Sequence, residues 1–282
     1  MPTLVFGGRT TSMRHNHFCC NRQQACAHNT VRSDGSPSLV KRAYGFGVLA
    51  MSLISLSSCD PSPQRQLQDR EAITITRMIS LGNAIKTYRE KNEGMLPGSP
   101  GLSWRVHILP LLDEGNLYRE FHLNESWNSP HNESLISRMP GIFKPVEQDL
   151  DAGAAASGKT CYVAVIGDGT TGDAAAQRKR MADSALVGTA VVVQVETERS
   201  VTWTKPDGWE YARPKSISGL HIHTFQRPGD TEPTRVYVIT GDGSLLAVKA
   251  DQKDGVYDSL FLLGAQKNTL PDFTKKVIIR KW

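Results

Sequence analysis

The sequence predicts an α+β fold in which one N-terminal helix packs on an antiparallel sheet. Between Asp69 and Asn92, apolar residues recur at helical spacing, whereas beyond residue 160 they come in short β-branched runs. Two such runs are Ala190-Val191-Val192-Val193 and Val236-Tyr237-Val238-Ile239, both suited to a sheet covered on at least one face. Gly241-Asp242-Gly243-Ser244 lies between the runs 236–240 and 245–249 and reads as a hairpin turn, which makes neighbouring strands antiparallel.

Residues 1–40 have neither helical nor strand periodicity and are rich in Arg, His, Asn and Ser, so they are expected to be disordered or a non-native extension, with a translation start nearer Val40. Residues 41–59 follow with Lys41-Arg42, an apolar stretch of signal-peptide length and Leu56-Ser57-Ser58-Cys59. A basic pair, a short apolar run and small residues before a cleavage point make a secretory leader. Its last four residues resemble a bacterial lipobox, so Cys59 is the expected lipidation site and new N-terminus. Asp60 resembles the inner-membrane retention residue of enterobacterial lipoproteins, leaving inner and outer membrane as alternatives.

Removal of this leader changes the composition that matters. Six of the 33 Lys and Arg and one of the 28 Asp and Glu precede Cys59, leaving 27 of each. A domain without net formal charge lacks the single-sign field that draws proteins to nucleic acid, so no nucleic-acid partner is expected. Cys161 would be the one thiol besides the acylated Cys59, which excludes an internal disulfide in the mature monomer.

Residues 60–68, with Pro61, Pro63 and several Gln, read as a tether. The helix is expected over 69–92: Asp69 can cap it, Glu71 suits its positive end, and Ile75, Met78, Ile79, Ile85 and Tyr88 share one face until Gly94 and Pro97 stop it. Short helices are expected around 106–122 and 131–138. Strands are expected near 160–166, 187–196, 199–204, 220–226, 235–240 and 244–249, with a short helix around 255–263 and a C-terminal tail over 269–282, of which Lys275 to Trp282 forms an added strand or a flexible end.

Three stretches in the middle of the chain are distinctive. Ser103-Trp104-Arg105-Val106-His107-Ile108-Leu109-Pro110, then Leu111-Leu112-Asp113-Glu114 with Leu117-Tyr118, then Glu125-Ser126-Trp127-Asn128-Ser129-Pro130-His131-Asn132 closely resemble the planctomycete family catalogued as domain of unknown function 1559, DUF1559. Tyr162-Val163-Ala164-Val165, Trp203-Thr204-Lys205-Pro206-Asp207, Gly219-Leu220-His221 and Gly241-Asp242-Gly243-Ser244 continue the resemblance, which covers roughly residues 72–268 of a domain placed at 69–268. The resemblance implies a pilin-like architecture, a helix lying on an antiparallel sheet, because family members look like prepilins. Two departures stand out. A lipobox, a tether and a shortened amphipathic helix replace the usual prepilin motif and hydrophobic helix, which speaks against pilus-like assembly. His221 and His223 are also separated from Asp242 by a loop holding Pro228-Gly229-Asp230 and Pro233, farther than in the family pattern.

Several motifs suggest chemistry that their context does not support. His15, His17, Cys19, Cys20, Cys26 and His28 are metal-ligand types at spacings of no standard finger. Gly153 to Thr160 satisfies the phosphate-loop pattern G-x-x-x-x-G-K-T, but polar, acidic sequence precedes it and strand-like sequence follows, the reverse of strand, loop, helix. The run Gly167 to Asp173 could offer oxygens to Ca²⁺, yet it lacks the EF-hand spacing and reads as a turn. His107, His131 or His221 could be paired on paper with a serine, but no G-x-S-x-G elbow or H-E-x-x-H helix selects one.

No catalytic residue, metal or cofactor is therefore expected, and the protein is not expected to be an enzyme. Candidate binding residues are Trp104, Arg105, His107, Trp127, Asn128, His131 and His221, where aromatics beside polar groups can stack on sugars or peptides, with core packing as the competing role of the tryptophans. The expected function is a lipid-anchored, periplasm-facing lipoprotein of the cell envelope with a non-catalytic binding or structural domain. Its expected partners are the membrane and other envelope proteins. The alternative, suggested by an early grouping of the family as solute-binding, is a periplasmic solute-binding or hydrolytic protein acting on peptide or sugar.

Overall fold

The computed structural model of the chain describes residues 63–146, 158–173, 183–212, 217–224, 234–251, 257–263 and 278–281. The extension 1–40, the leader with Cys59, most of the phosphate-loop pattern and the loop with Pro228 and Pro233 lie outside the described residues.

Helix α1 runs Pro63–Lys91. It begins six residues before Asp69, because proline at a first helical position loses no intrahelical hydrogen bond and its fixed φ suits the turn. Asp69 is thus an interior residue and not the cap, and 63–68 is helix where a tether is expected. Arg89 and Lys91 occupy the last turn, where cations complement the dipole. The helix closes as a Schellman turn: Gly94 N–H donates to Arg89 O at 2.8 Å while Glu93 takes a left-handed φ of 54°. Ile75, Met78, Leu81, Ala84 and Ile85 are buried along one face, with Ile79 and Tyr88 partly buried beside them.

Small helical segments carry the middle of the chain: α2 (Trp104–His107), a 3₁₀ turn (Leu109–Leu111), α3 (Gly115–Glu120) and α4 (Pro130–Ser134). Strands β1 (Lys159–Thr160) and β4 (Val201–Thr202) form a two-stranded ribbon. The main sheet has six strands in the order β5-β2-β3-β6-β7-β8, from β2 (Tyr162–Ile166), β3 (Ala190–Gln194), β5 (Gly208–Glu210), β6 (Arg235–Thr240), β7 (Leu245–Lys249) and β8 (Ile278–Lys281). Short helices α5 (Asp183–Leu186) and α6 (Asp258–Phe261) complete the described elements.

The fold is α+β, with α1 against β6 and β7. Antiparallel pairing holds from β2 through β8, but the edge strand β5 runs parallel to β2, with Val165 opposite Trp209, so the sheet is mixed. The expected strand at 199–204 shortens to two residues before Trp203 turns away, and the one at 220–226 contributes only bridges, Val195 to Leu220 and His223 to Arg235. Within the tail, β8 realises the added-strand alternative.

Strand alternation divides the buried residues between two layers. Tyr162, Val192, Tyr237, Ile239, Leu245 and Ala247 join α1 and the small helices in one apolar cluster. Val163, Val165, Val193, Val236, Val238, Leu246 and Val248 join Tyr257, Leu260 and Phe261 in the other. Each Val, Leu, Ile or Phe among them contributes about 1.5–3 kcal/mol when taken from water. No helix among the described residues is long and apolar enough to cross a membrane.

Candidate binding cleft

Two distant segments meet to build the cleft. Ser103 caps α2 through a bond from Arg105 N–H at 3.3 Å, and its own N–H donates to Thr204 O at 2.9 Å. Trp203 is fully buried between Phe121, edge-on at 5.7 Å, and Phe143, stacked at 5.8 Å, and its indole N–H donates to Ile136 O at 2.8 Å. Arg105 pins the joint from inside. Its Nε donates to Tyr162 O at 2.8 Å and Nη2 donates to the same oxygen, while Nη1 reaches Ser103 Oγ at 2.7 Å and Trp203 O at 3.4 Å. The guanidinium also lies 5.0 Å from the Trp104 ring centroid. Burial lowers its pKa to about 9 against the attraction of Asp207, which leaves it charged at neutral pH.

Beside this joint opens a cleft of about 240 Å³. Its floor is Ala164 and Ile166 of β2 with Val191 and Val192 of β3, one wall is Ile85 of α1, and Trp104 and Leu102 form another. The loop Leu96-Pro97-Gly98-Ser99-Pro100 closes one side and Pro206-Asp207 the opposite rim. Ser99 organises its loop: its N–H donates to Leu102 O at 3.1 Å and its Oγ accepts from Leu102 N–H at 3.1 Å. His107 Nε2 lies 3.3 Å from the same Oγ, and desolvation lowers the His107 pKa. Thr171, at the edge of the cleft, spends its hydroxyl on Ala190 O at 3.0 Å.

Among the described residues, Asp207 is the one ionisable side chain lining the cleft. Partial burial raises its pKa, but Lys205 Nζ at 2.7 Å, Gly208 N–H at 2.9 Å and the charges of Lys205 and Arg105 together outweigh that and hold the carboxyl below its ordinary range.

The structure gathers some of the sequence-predicted residues and scatters others. Trp104 lines the cleft, Arg105 stands behind it, His107 touches its loop, and Trp127 joins through its N–H to Gly101 O at 2.8 Å while its half-buried side chain packs on the core. Asn128 and His131 are exposed, with His131 stacked on His122 at 3.6 Å. His221 lies elsewhere, its N–H on Gln194 O and its ring 4.5 Å from His223. Asn132, not among the expected sites, knits the intervening loop with bonds involving His122, Glu125 and Ser126. Ser99 and Asp207 escaped the sequence reading as cleft residues; the run Pro97-Gly98-Ser99-Pro100-Gly101, dense in turn formers between a helix and a motif, was the available signal.

A second polar group lies under the sheet. Tyr237 Oη donates to Glu71 Oε1, Arg235 Nη1 approaches the same oxygen at 4.0 Å, the His223 ring lies 4.5 Å from Tyr237, and His223 Nε2 meets Gln194 Oε1 at 3.1 Å. The glycine run 167–173 is a self-closed turn, with Gly169 N–H on Asp173 Oδ2 at 3.0 Å and Thr170 Oγ1 on Gly167 O at 2.7 Å. Lys159 and Thr160, which would open a helix in a phosphate loop, form β1 instead. Among the described residues there is no group of three or more His, Cys, Asp or Glu able to hold a metal ion.

No curated protein and no solved structure matches the chain. Residues 80–185, which include the cleft's Trp104 wall, its Ser99 loop and its sheet floor from β2, match the family model described as "Protein of unknown function (DUF1559)". That match makes residues 80–185, the stretch holding Ser103, Arg105 and Tyr162 of the joint, similar to the DUF1559 family.

Proposed function

We propose that the chain is an exported lipoprotein, anchored through Cys59 and facing the periplasm, whose folded domain binds a small guest in the cleft without chemistry. The preformed cleft carries the binding part of this reading: signature residues from two distant segments enclose an apolar space, while the polar groups at its edge, Ser99, Thr171 and Asp207, are engaged by their own neighbours. The anchor rests on residues 41–60, and since one acyl chain holds a protein only marginally, at about 10⁴ M⁻¹, the several chains of a bacterial lipoprotein would be what keeps it on the membrane. Metabolic labelling with a palmitate analogue is the test: wild type takes label and Cys59→Ala does not. Equal labelling of the two ends the anchoring proposal.

One observation favours the hydrolytic alternative. Ser99 Oγ lines the cleft within 3.3 Å of His107 Nε2, a nucleophile beside a neutral base. Against it, that hydroxyl is tied to the Leu102 main chain, and among the described residues His107 Nδ1 meets no acid that would orient the ring. A fluorophosphonate probe decides between them. No labelling is expected; labelling that vanishes in Ser99→Ala makes the protein a serine hydrolase.

A further inference from the structure

We propose that the guest of the cleft is an uncharged molecule with a compact apolar body and a carbonyl acceptor, of the class of a capped apolar amino acid; this rests on the reading of the cleft as a binding site. Three observations select that class.

The first is size and surface. At about 240 Å³ the cleft is smaller than the roughly 300–1,000 Å³ of sites for drug-sized ligands, and Trp104, Ile85, Leu96, Pro97 and Pro206 offer it apolar faces. A branched aliphatic body fits such walls, and a polymer backbone does not.

The second is charge. Asp207, ionised at the rim, is the one charge among the described lining residues, so an anion entering the cleft sheds its water and finds no cation there to replace it. Asp207 is also already bonded to Lys205 and Gly208 and lies in the field of buried Arg105, so a cation gains little from it. The guest that loses nothing is neutral.

The third is an unmet donor. Trp104 is 7 % exposed and lines the cleft, and its indole N–H has no acceptor among the described residues. A buried donor left without a partner costs about 1–3 kcal/mol, so a guest that brings a carbonyl oxygen to Trp104 Nε1 removes a penalty the empty protein carries. An acceptor-free hydrocarbon does not.

The test is a titration of the full chain, ¹⁵N-labelled at tryptophan, with three probes of one shape: N-acetyl-L-leucinamide, neutral; L-leucinamide, a cation at about pH 6.5, below the α-amino pKa of about 7.7–8.0; and N-acetyl-L-leucine, an anion. The chain has five tryptophans, and Trp104→Phe identifies the Trp104 indole signal by its disappearance. The neutral probe is expected to shift that signal downfield with saturation, and to bind about tenfold or more tighter than either ion, a difference of about 1.4 kcal/mol. Ala164→Leu, which fills the floor, is expected to abolish the shift while the other indole signals stay in place. Tighter binding of an ion at Trp104 overturns the ligand class and leaves the cleft as a binding site. A Trp104 signal that no probe moves overturns both.

Discussion

Gly82 of α1 and Gly243 of the β6–β7 turn meet backbone to backbone: a Cβ on Gly82 would overlap the Gly243 carbonyl, and one on Gly243 would stand 2.8 Å from Gly82 O. Arg89 adds to the joint by donating from Nη1 to Gly241 O at 2.6 Å. Helix and hairpin are thus docked through two absent side chains. In an exposed helix interior, Gly→Ala stabilises by about 0.5–1 kcal/mol. Here the sign reverses: Gly82→Ala is expected to cost about 2 kcal/mol or more, as overpacking does in a close-fitted core. Chemical denaturation of the full chain measures it, and an unchanged or raised midpoint removes the close-approach argument.

Arg105 yields a second expectation. Four donor contacts link its guanidinium to Tyr162, Ser103 and Trp203, and its fork geometry is what serves carbonyl and hydroxyl at once. Arg105→Lys keeps the charge and loses the fork, leaving acceptors of two segments unmet. Hydrogen bonds to charged groups contribute about 1.5–3 kcal/mol, so a loss of about 3 kcal/mol is expected. If lysine is tolerated within about 0.5 kcal/mol, charge alone holds the joint.

How much of this was legible beforehand depended on the range of the forces involved. The register of α1 was readable because Ile75, Met78 and Ile85 repeat at the period of the helix, and the β6–β7 hairpin because Gly241-Asp242-Gly243 states its turn locally. The start of α1 was misread because Pro63 looks like a tether residue until the helix that follows it is known. Strand β5 was missed: three residues in a run rich in Gly and Pro pair with β2 only because the fold brings them there. Trp104 and Arg105 were recognisable as special, but charge beside an aromatic reads as surface, and only the arrival of Trp203 and Thr204 from a hundred residues downstream buries them. The cleft has the same origin, since its two rims are equally far apart in sequence.

Glu93 adopts φ 54° at the end of α1, in the position where helices most often place glycine. A side chain there is strained by about 1–2 kcal/mol relative to right-handed backbone. Glu93→Gly is expected to stabilise the protein by about 0.5–1 kcal/mol after the entropy glycine adds to the unfolded chain is counted. A thermal melt that falls instead would mean that the Glu93 side chain holds the turn.

The last expectation concerns acid. Desolvation first, and then the charges of His221 and Arg235, push the pKa of buried His223 well below 6.5, and desolvation lowers that of His107 too. Around the His223 ring stand Gln194 of β3, Arg235 and Tyr237 of β6, and His221, with Glu71 of α1 beyond Tyr237. Both histidines are depressed in the folded state, so between their folded pKa and 6.5 the unfolded chain binds more protons than the native one, and stability rises with pH in that window. Their contribution is complete above 6.5 and is lost as pH falls through the folded values, because an imidazolium at 223 is desolvated beside a cation. Denaturation midpoints measured from about pH 7.5 down to about pH 5 are expected to fall below 6.5, and His223→Gln is expected to flatten the slope. A wild-type midpoint that stays level across that range, or a slope untouched by the substitution, would show that His223 takes its proton without cost and that the polar group beneath the sheet is open to water.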